Sequence, residues 1–288
     1  MTILVIGGTG NVGRPTVASL KQAGENVRVF SRSKEKTAAL PAGVEIALGD
    51  LDSGKGLDEA FAGVSRLVLI TSLGETEEAR GLAAVRAAQK AGVRRIVFLS
   101  VQDADAEPPI PHFRSKLAIE NAIRDSGADF VIVRPNSFFQ NDESVGMAML
   151  QYGVYPTPIG SIGQNRIDVR DIGEAISRAV RGEWTLGSDC ALDGPEALNG
   201  EQIATVYSRY LGKQIRYGGD DLEQWSSRLR GILPPWTLDA ITKMFERIQR
   251  CGMLAAEGSI ERTREAVGRP LRTFDEYAQE LAARLFAK

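Results

Sequence analysis

The chain has 288 residues, 43% of them hydrophobic and 25% charged, with a formal net charge of −2. This is ordinary globular usage for one large domain or a main domain with a smaller lobe, and it excludes a broad basic field for nucleic acid or an anionic membrane. No stretch approaches the ~18 apolar residues of a membrane span. The two cysteines lie far apart and there is one histidine, so no metal centre is expected. Met1 runs straight into an apolar segment without a signal core before it, and a reducing, cytoplasmic location is expected.

The opening segment, MTILVIGGTGNVG over residues 1–13, reads as strand, tight turn and helix start. Gly7 lets the backbone turn at the strand end. Gly10 lets the main chain approach a diphosphate, and Gly13 lets the helix pack close to the strand. With Thr9, Asn11 and Val12, these glycines present free amides and the positive end of a helix to an anion. The second strand, NVRVF over 26–30, ends in SRSK over 31–34. An acid for the ribose 2′-hydroxyl is missing at that position, and Ser31 and Arg32 stand where a 2′-phosphate would lie. The pattern therefore predicts NADP(H) in preference to NAD(H).

Further strands are predicted over 44–48, 66–71, 94–100 and 129–134, with helices near 13–23, 55–62, 76–91 and 111–126. Gly24, Gly63, Gly92 and Gly127 follow the helical patterns as cap residues should. Continuous apolar strands alternating with helices predict a doubly wound parallel α/β sheet. Asp50 and Leu51 follow the third strand; they either flank an adenine or belong to a turn in which Asp52 or Ser53 caps the next helix. Thr71, Ser72, Ser100 and Asn136 fall at successive strand ends, as the lining of a cofactor crevice would. The acidic run DADAE over 103–107 reads as a solvated loop at the pocket rim.

Beyond Pro135 the chain reads as loop over 136–163. A helix is predicted near 171–181, a strand over 188–193, and helices near 200–211, 220–232, 237–250, 259–267 and 274–287. The division expected is a nucleotide-binding domain over 1–135 and a small, mostly helical lobe over 136–288, with late strands returning to the main sheet. Phe138, Phe139, Tyr152, Tyr155 and Trp236 are the candidates for a flat apolar substrate slot, against ordinary core packing for each alone.

The motifs GGTGNVG (7–13), SRS (31–33), GDL (49–51), AGV (62–64 and 91–93) and RPN (134–136) occur in order. Together they resemble the NmrA-like branch of the atypical short-chain dehydrogenase/reductases, with triphenylmethane reductases and NADPH-dependent quinone reductases nearest in pattern. LRTFDEYA over 271–278 resembles the closing helix of that family. The resemblance implies a Rossmann-type domain, NADP(H) and a C-terminal substrate lobe.

Conventional members of the wider superfamily carry YxxxK on the helix after strand five. This chain has HFRSK at 112–116. The resemblance implies a ribose contact for Lys116 but no tyrosine acid. His112 and Lys116 lie four apart on one helix face. His112 is either the proton donor, since imidazole ordinarily titrates nearest neutrality, or a scaffold residue that shapes the pocket. Two functions follow. One is a reductase of quinones, dyes or similar flat electrophiles, working as monomer or homodimer on a small aromatic or quinone-like molecule. The other is an NADP(H)-binding sensor that acts through a protein partner.

Overall fold

The computed structural model describes residues 1–106, 110–184 and 188–287. Its strands are β1 Thr2–Ile6, β2 Asn26–Ser31, β3 Glu45–Leu48, β4 Val64–Ile70, β5 Arg95–Leu99, β6 Asp129–Pro135, β7 Val154–Tyr155, β8 Asp189–Leu192 and β9 Arg216–Tyr217. Its α-helices are α1 Gly13–Gln22, α2 Leu57–Phe61, α3 Glu77–Lys90, α4 Pro111–Arg124, α5 Gly146–Tyr152, α6 Val169–Arg181, α7 Gly200–Leu211, α8 Leu222–Leu229, α9 Pro235–Cys251, α10 Ser259–Val267 and α11 Phe274–Phe286. Two compact units result. The first comprises Met1–Pro135, Val169–Leu192 and Arg264–Arg269; the second comprises Asn136–Asp168, Asp193–Thr263 and Pro270–Lys288.

In the first unit seven strands pair in parallel in the order β3-β2-β1-β4-β5-β6-β8. The central strands are apolar on both faces, as burial on two sides demands. Leu4 and Ile6 of β1 join Leu67, Leu69, Ile96 and Phe98 in a core shared with Ala84 and Ala88 of α3 and Ile119 and Ile123 of α4. Ile3 and Val5 alternate to the opposite face and are equally buried. Close helix contacts depend on glycine. A Cβ at Gly81 of α3 would lie 2.2 Å from Ile119 Cδ1 of α4, and one at Gly173 of α6 would lie 2.8 Å from Thr16 N of α1. Strand order reverses between β1 and β4, which makes the carboxyl ends of these two strands the topological switch point where open α/β sheets bind ligands.

Sequence reasoning expected a lobe over 136–288 with late strands returning to the main sheet. Here α6 as well as β8 belongs to the first unit. Its reason is the apolar stripe of α6, where Ile172, Gly173, Ala175, Ile176, Ala179 and Val180 are all buried.

The second unit has a two-stranded parallel sheet of β7 and β9 and a core that includes Phe139, Met149, Tyr155, Tyr207, Phe274 and Tyr277. Phe139 meets Phe274 edge-on at 5.3 Å and 70°, a geometry that aromatic quadrupoles favour. The expected loop over 136–163 is corrected: it contains a 3-10 segment Phe139–Val145, helix α5 and strand β7. Asn141, Asp142, Gly146 and Gly153 look like breakers in sequence. Asp142 is instead buried and bound by Arg166 at 3.0 Å, Tyr207 at 2.8 Å and Tyr155 at 3.1 Å. In the acidic run, Asp105 is exposed and Ala104 buried, and Glu107 lies outside the described residues.

Candidate functional site

The switch point begins at Gly7, whose φ of +82° carries the chain out of β1. A Cβ there would sit 2.3 Å from Ile70 O at the end of β4, and one at Gly13 would sit 2.0 Å from Gly7 O. Both glycines are required by the protein's own packing. Gly10 differs. Its φ is not positive, and a Cβ there would meet only Gly7 O at 3.4 Å. The space beside Gly10 is therefore left open by the fold rather than filled by it.

Among the described residues, the amides of Asn11 and Val12 donate to no protein acceptor. Helix α1 has neither a side-chain cap nor an acid in its first turn. An anion is the partner such amides lack. These observations fit a dinucleotide diphosphate, and Gly7, Thr9, Gly10, Asn11, Val12 and Gly13 are the residues that would hold it.

At the end of β2, Ser31 is buried and closes a turn by donating to Ser33 O at 3.0 Å. Arg32 is exposed and makes no ion pair among the described residues. Its charge reaches Asp52, but that carboxylate is gripped by Arg80 through two bonds of 2.6 Å. Sequence reasoning did not weigh Glu35, whose carboxylate accepts from Ser33 Oγ at 2.5 Å and is held below its ordinary pKa by that bond. After β3, Asp50 accepts from the Asp52 amide at 3.2 Å, and Leu51 packs on the first unit's core. The alternative that made Asp52 or Ser53 a helix cap is corrected, because α2 starts after Gly56 without a side-chain cap.

After β4 and β5 the expected residues divide. Ser72 is exposed. Ser100 is turned into the protein, where its hydroxyl donates to Glu120 Oε1 at 2.5 Å. Glu120 is buried and also takes Arg134 at 2.5 and 2.9 Å, so this pair ties α4 to β6. Thr71, His112 and Lys116 are brought together, around a residue that sequence reasoning missed. Glu77, in the first turn of α3, is fully buried. Its Oε1 accepts from Thr71 Oγ1 at 2.7 Å and pairs with Lys116 Nζ at 3.0 Å; its Oε2 lies 2.6 Å from His112 Nδ1. Burial pushes the Glu77 carboxyl up, but Lys116, His112 and Thr71 together bring it down to about 2, so it is ionised at neutral pH.

The signal for Glu77 was its phase. It shares the buried face of α3 with Gly81, Ala84, Val85 and Ala88, although an acid in a first turn ordinarily reads as a solvated complement to the helix dipole.

The expected ribose contact of Lys116 is corrected. The Lys116 side chain is 3% exposed, and besides Glu77 its ammonium donates to Thr71 Oγ1 and to Leu99 O, each at 2.9 Å. Its three protons are thereby used. His112 is 18% exposed at the side chain, and its Nε2 is the ring atom left to meet a ligand.

In the second unit Asn136 is buried. Its Nδ2 donates to Asp193 at 3.0 Å and to Met253 O at 2.8 Å, and its Oδ1 accepts from the Ser137 amide. The amide is a joint of that unit, which corrects its assignment to cofactor. Phe139 and Tyr155 are core residues, which removes them from any open slot. Phe138 and Trp236 are half-buried and Tyr152 is 74% exposed.

The NmrA-like family model matches residues 1–278. The chain is 33% identical over 283 residues to a (4-alkanoyl-5-oxo-2,5-dihydrofuran-3-yl)methyl phosphate reductase of Streptomyces griseus, covering 97% of this chain and 98% of that one. It is 30% identical to an NAD(P)H azoreductase of Xenophilus azovorans, covering 98% of each. In fold it is similar to an NADPH-dependent quinone oxidoreductase of Escherichia coli solved with NADPH, with a TM-score of 0.85, 23% identity, and 97% of this chain and 99% of that one covered. With the glycine turn, the switch point and the match along nearly its whole length, the chain belongs to the NmrA-like family.

Proposed function

We propose that this chain is an NADPH-dependent reductase of a small, flat, apolar electrophile such as a quinone, an azo compound or a conjugated carbonyl. The observation that carries the reading is the open space at Gly10 beside the unpartnered amides of Asn11 and Val12. Two relatives similar over almost their whole length are reductases by name, which supports the reaction class. NADPH held there supplies a hydride. Arg32, exposed and without an ion pair among the described residues, is the group for the 2′-phosphate, with Ser31 fixing the turn that presents it.

The protein's part in the chemistry is positional and protonic. His112 stands where conventional relatives have a tyrosine, and it is the proton donor of this reading. Lys116 acts at one remove, by holding Glu77. The missing tyrosine fits the sensor alternative as well as it fits a reductase, and relatives that are reductases by name favour the enzyme.

The test is spectrophotometric. The protein is mixed with NADPH or NADH and a quinone, an azo dye or a triphenylmethane dye. Loss of the reduced-nicotinamide band that depends on the acceptor is expected. Arg32→Ala should raise KM for NADPH about tenfold or more while leaving KM for NADH within about twofold, since a charge-assisted contact of roughly 1.5–3 kcal/mol is lost with one cofactor only. Saturable NADPH binding without oxidation by any acceptor would establish the sensor instead. Equal weakening of both cofactors would remove Arg32 from the phosphate.

A further inference from the structure

We propose that Glu77 is the positioning residue of the reduction: clamped by Lys116 and Thr71, it fixes His112 in the Nδ1–H form and so makes Nε2 the atom that hands over the proton. The proposal rests on the reductase reading and narrows its substrate class to acceptors whose reduction needs a proton at oxygen or nitrogen.

The geometry carries it. An ionised carboxylate only accepts hydrogen bonds. With Glu77 Oε2 at 2.6 Å from Nδ1, that nitrogen must carry hydrogen in both charge states of the ring. Neutral His112 then has a bare Nε2, and protonated His112 has Nε2–H as its outward acid. Oε1 cannot be given up to His112, because it already serves Thr71 at 2.7 Å and Lys116 at 3.0 Å. Lys116 is locked in turn by Leu99 O at 2.9 Å, in a backbone frame set by the end of β5. The clamp is dry: Glu77 is 0% and Lys116 3% exposed, whereas His112 keeps 18%. Solvent can therefore reprotonate the ring without reaching the carboxylate.

The balance is simple. The acceptor gains a hydride, with its electron pair, from the dihydronicotinamide, which is thereby oxidised. The acceptor's C=O or N=N π bond breaks, and its oxygen or nitrogen takes the proton from His112 Nε2. The imidazole is left neutral and recovers a proton from water. A preformed triphenylmethane cation needs the hydride alone and gives a neutral product without this step.

His112 is the only histidine in the chain, so nitrogen NMR of protein labelled at histidine reads this ring directly, without cofactor or turnover. The neutral ring is expected as the Nδ1–H tautomer. In Glu77→Gln the side-chain oxygen must stay with Lys116 and Thr71, which places the amide NH2 against Nδ1. The tautomer should then invert to Nε2–H. In turnover, kcat for a quinone should fall at least about tenfold more than kcat for a triphenylmethane dye, a modest share of the 10²–10⁴ that general acids supply, with KM for NADPH little changed. A wild-type ring in the Nε2–H form overturns the proposal even if Glu77→Gln does not fold. So does an unchanged tautomer in a folded variant, or an equal loss on both acceptors. Absence of turnover by the wild type with every acceptor would sink the reductase reading, and the tautomer would still decide the role of Glu77.

Discussion

Glu77 and Lys116 are a buried ion pair, and such pairs have a characteristic asymmetry: losing one partner costs far more than losing both. At pH 7 Glu77→Gln should cost about 3–5 kcal/mol because Lys116 is left charged and dry, while Glu77→Gln with Lys116→Met should recover much of that loss. Urea midpoints of the two variants check it; a double variant as unstable as the single would show that the pair is not coupled. The pH dependence has a definite sign. The Glu77 carboxyl drops from 4.5 to about 2 on folding, so its stabilisation, on the order of 3 kcal/mol, is complete above roughly pH 5 and fades as pH falls toward 2. The difference in stability between wild type and Glu77→Gln should shrink across that window. At this scale the motif HFRSK correctly put His112 and Lys116 on one face, but not what they face. Helical spacing ranks residues within a helix; it carries no register between α3 and α4, and the partner of both residues lies on α3.

That register is set at the level of elements by Gly81. A methyl there would lie 2.2 Å from Ile119 Cδ1 and 2.5 Å from Cγ1. Gly81→Ala gains about 1 kcal/mol of helix propensity but must push α3 from α4, at about 1–3 kcal/mol for overpacking. A net loss of stability is expected, and Ile119→Ala should relieve it; calorimetric melting of the single and double variants decides, and a more stable Gly81→Ala would show that the helices are not in tight contact. The strands of the first unit were readable because each is a continuous apolar run closed by a turn residue. Gly24, Gly63, Gly92 and Gly127 carry φ of +77°, +71°, +69° and +77° after their helices, as the caps required. Strands β7 and β9, at two residues each, are too short to show a period. The 3-10 segment Phe139–Val145 is held by Arg166 reaching Asp142 and the carbonyls of Phe138 and Phe139, contacts that no local pattern encodes.

For the molecule as a whole, the sheet collects the glycine turn, Arg32, Thr71 and Ser100 at the carboxyl ends of successive strands, which was legible because a parallel sheet puts every such end on one edge. Which polar residues face a ligand and which face the protein was not legible, as Ser100 and Asn136 illustrate: both sit at strand ends, and both are consumed by internal partners. Of Gly7, Gly10 and Gly13 in the turn, Gly10 is the one beside which the fold leaves space, with Gly7 O at 3.4 Å from a Cβ placed there. Calorimetric titration of NADPH into the wild-type chain and into Gly10→Val tests the diphosphate grip most directly. Saturable binding by the wild type is expected, with none by a Gly10→Val protein that keeps its circular dichroism and melting temperature. Matching affinities in the two proteins, or no binding by either, would mean that the amino end of α1 does not hold the cofactor.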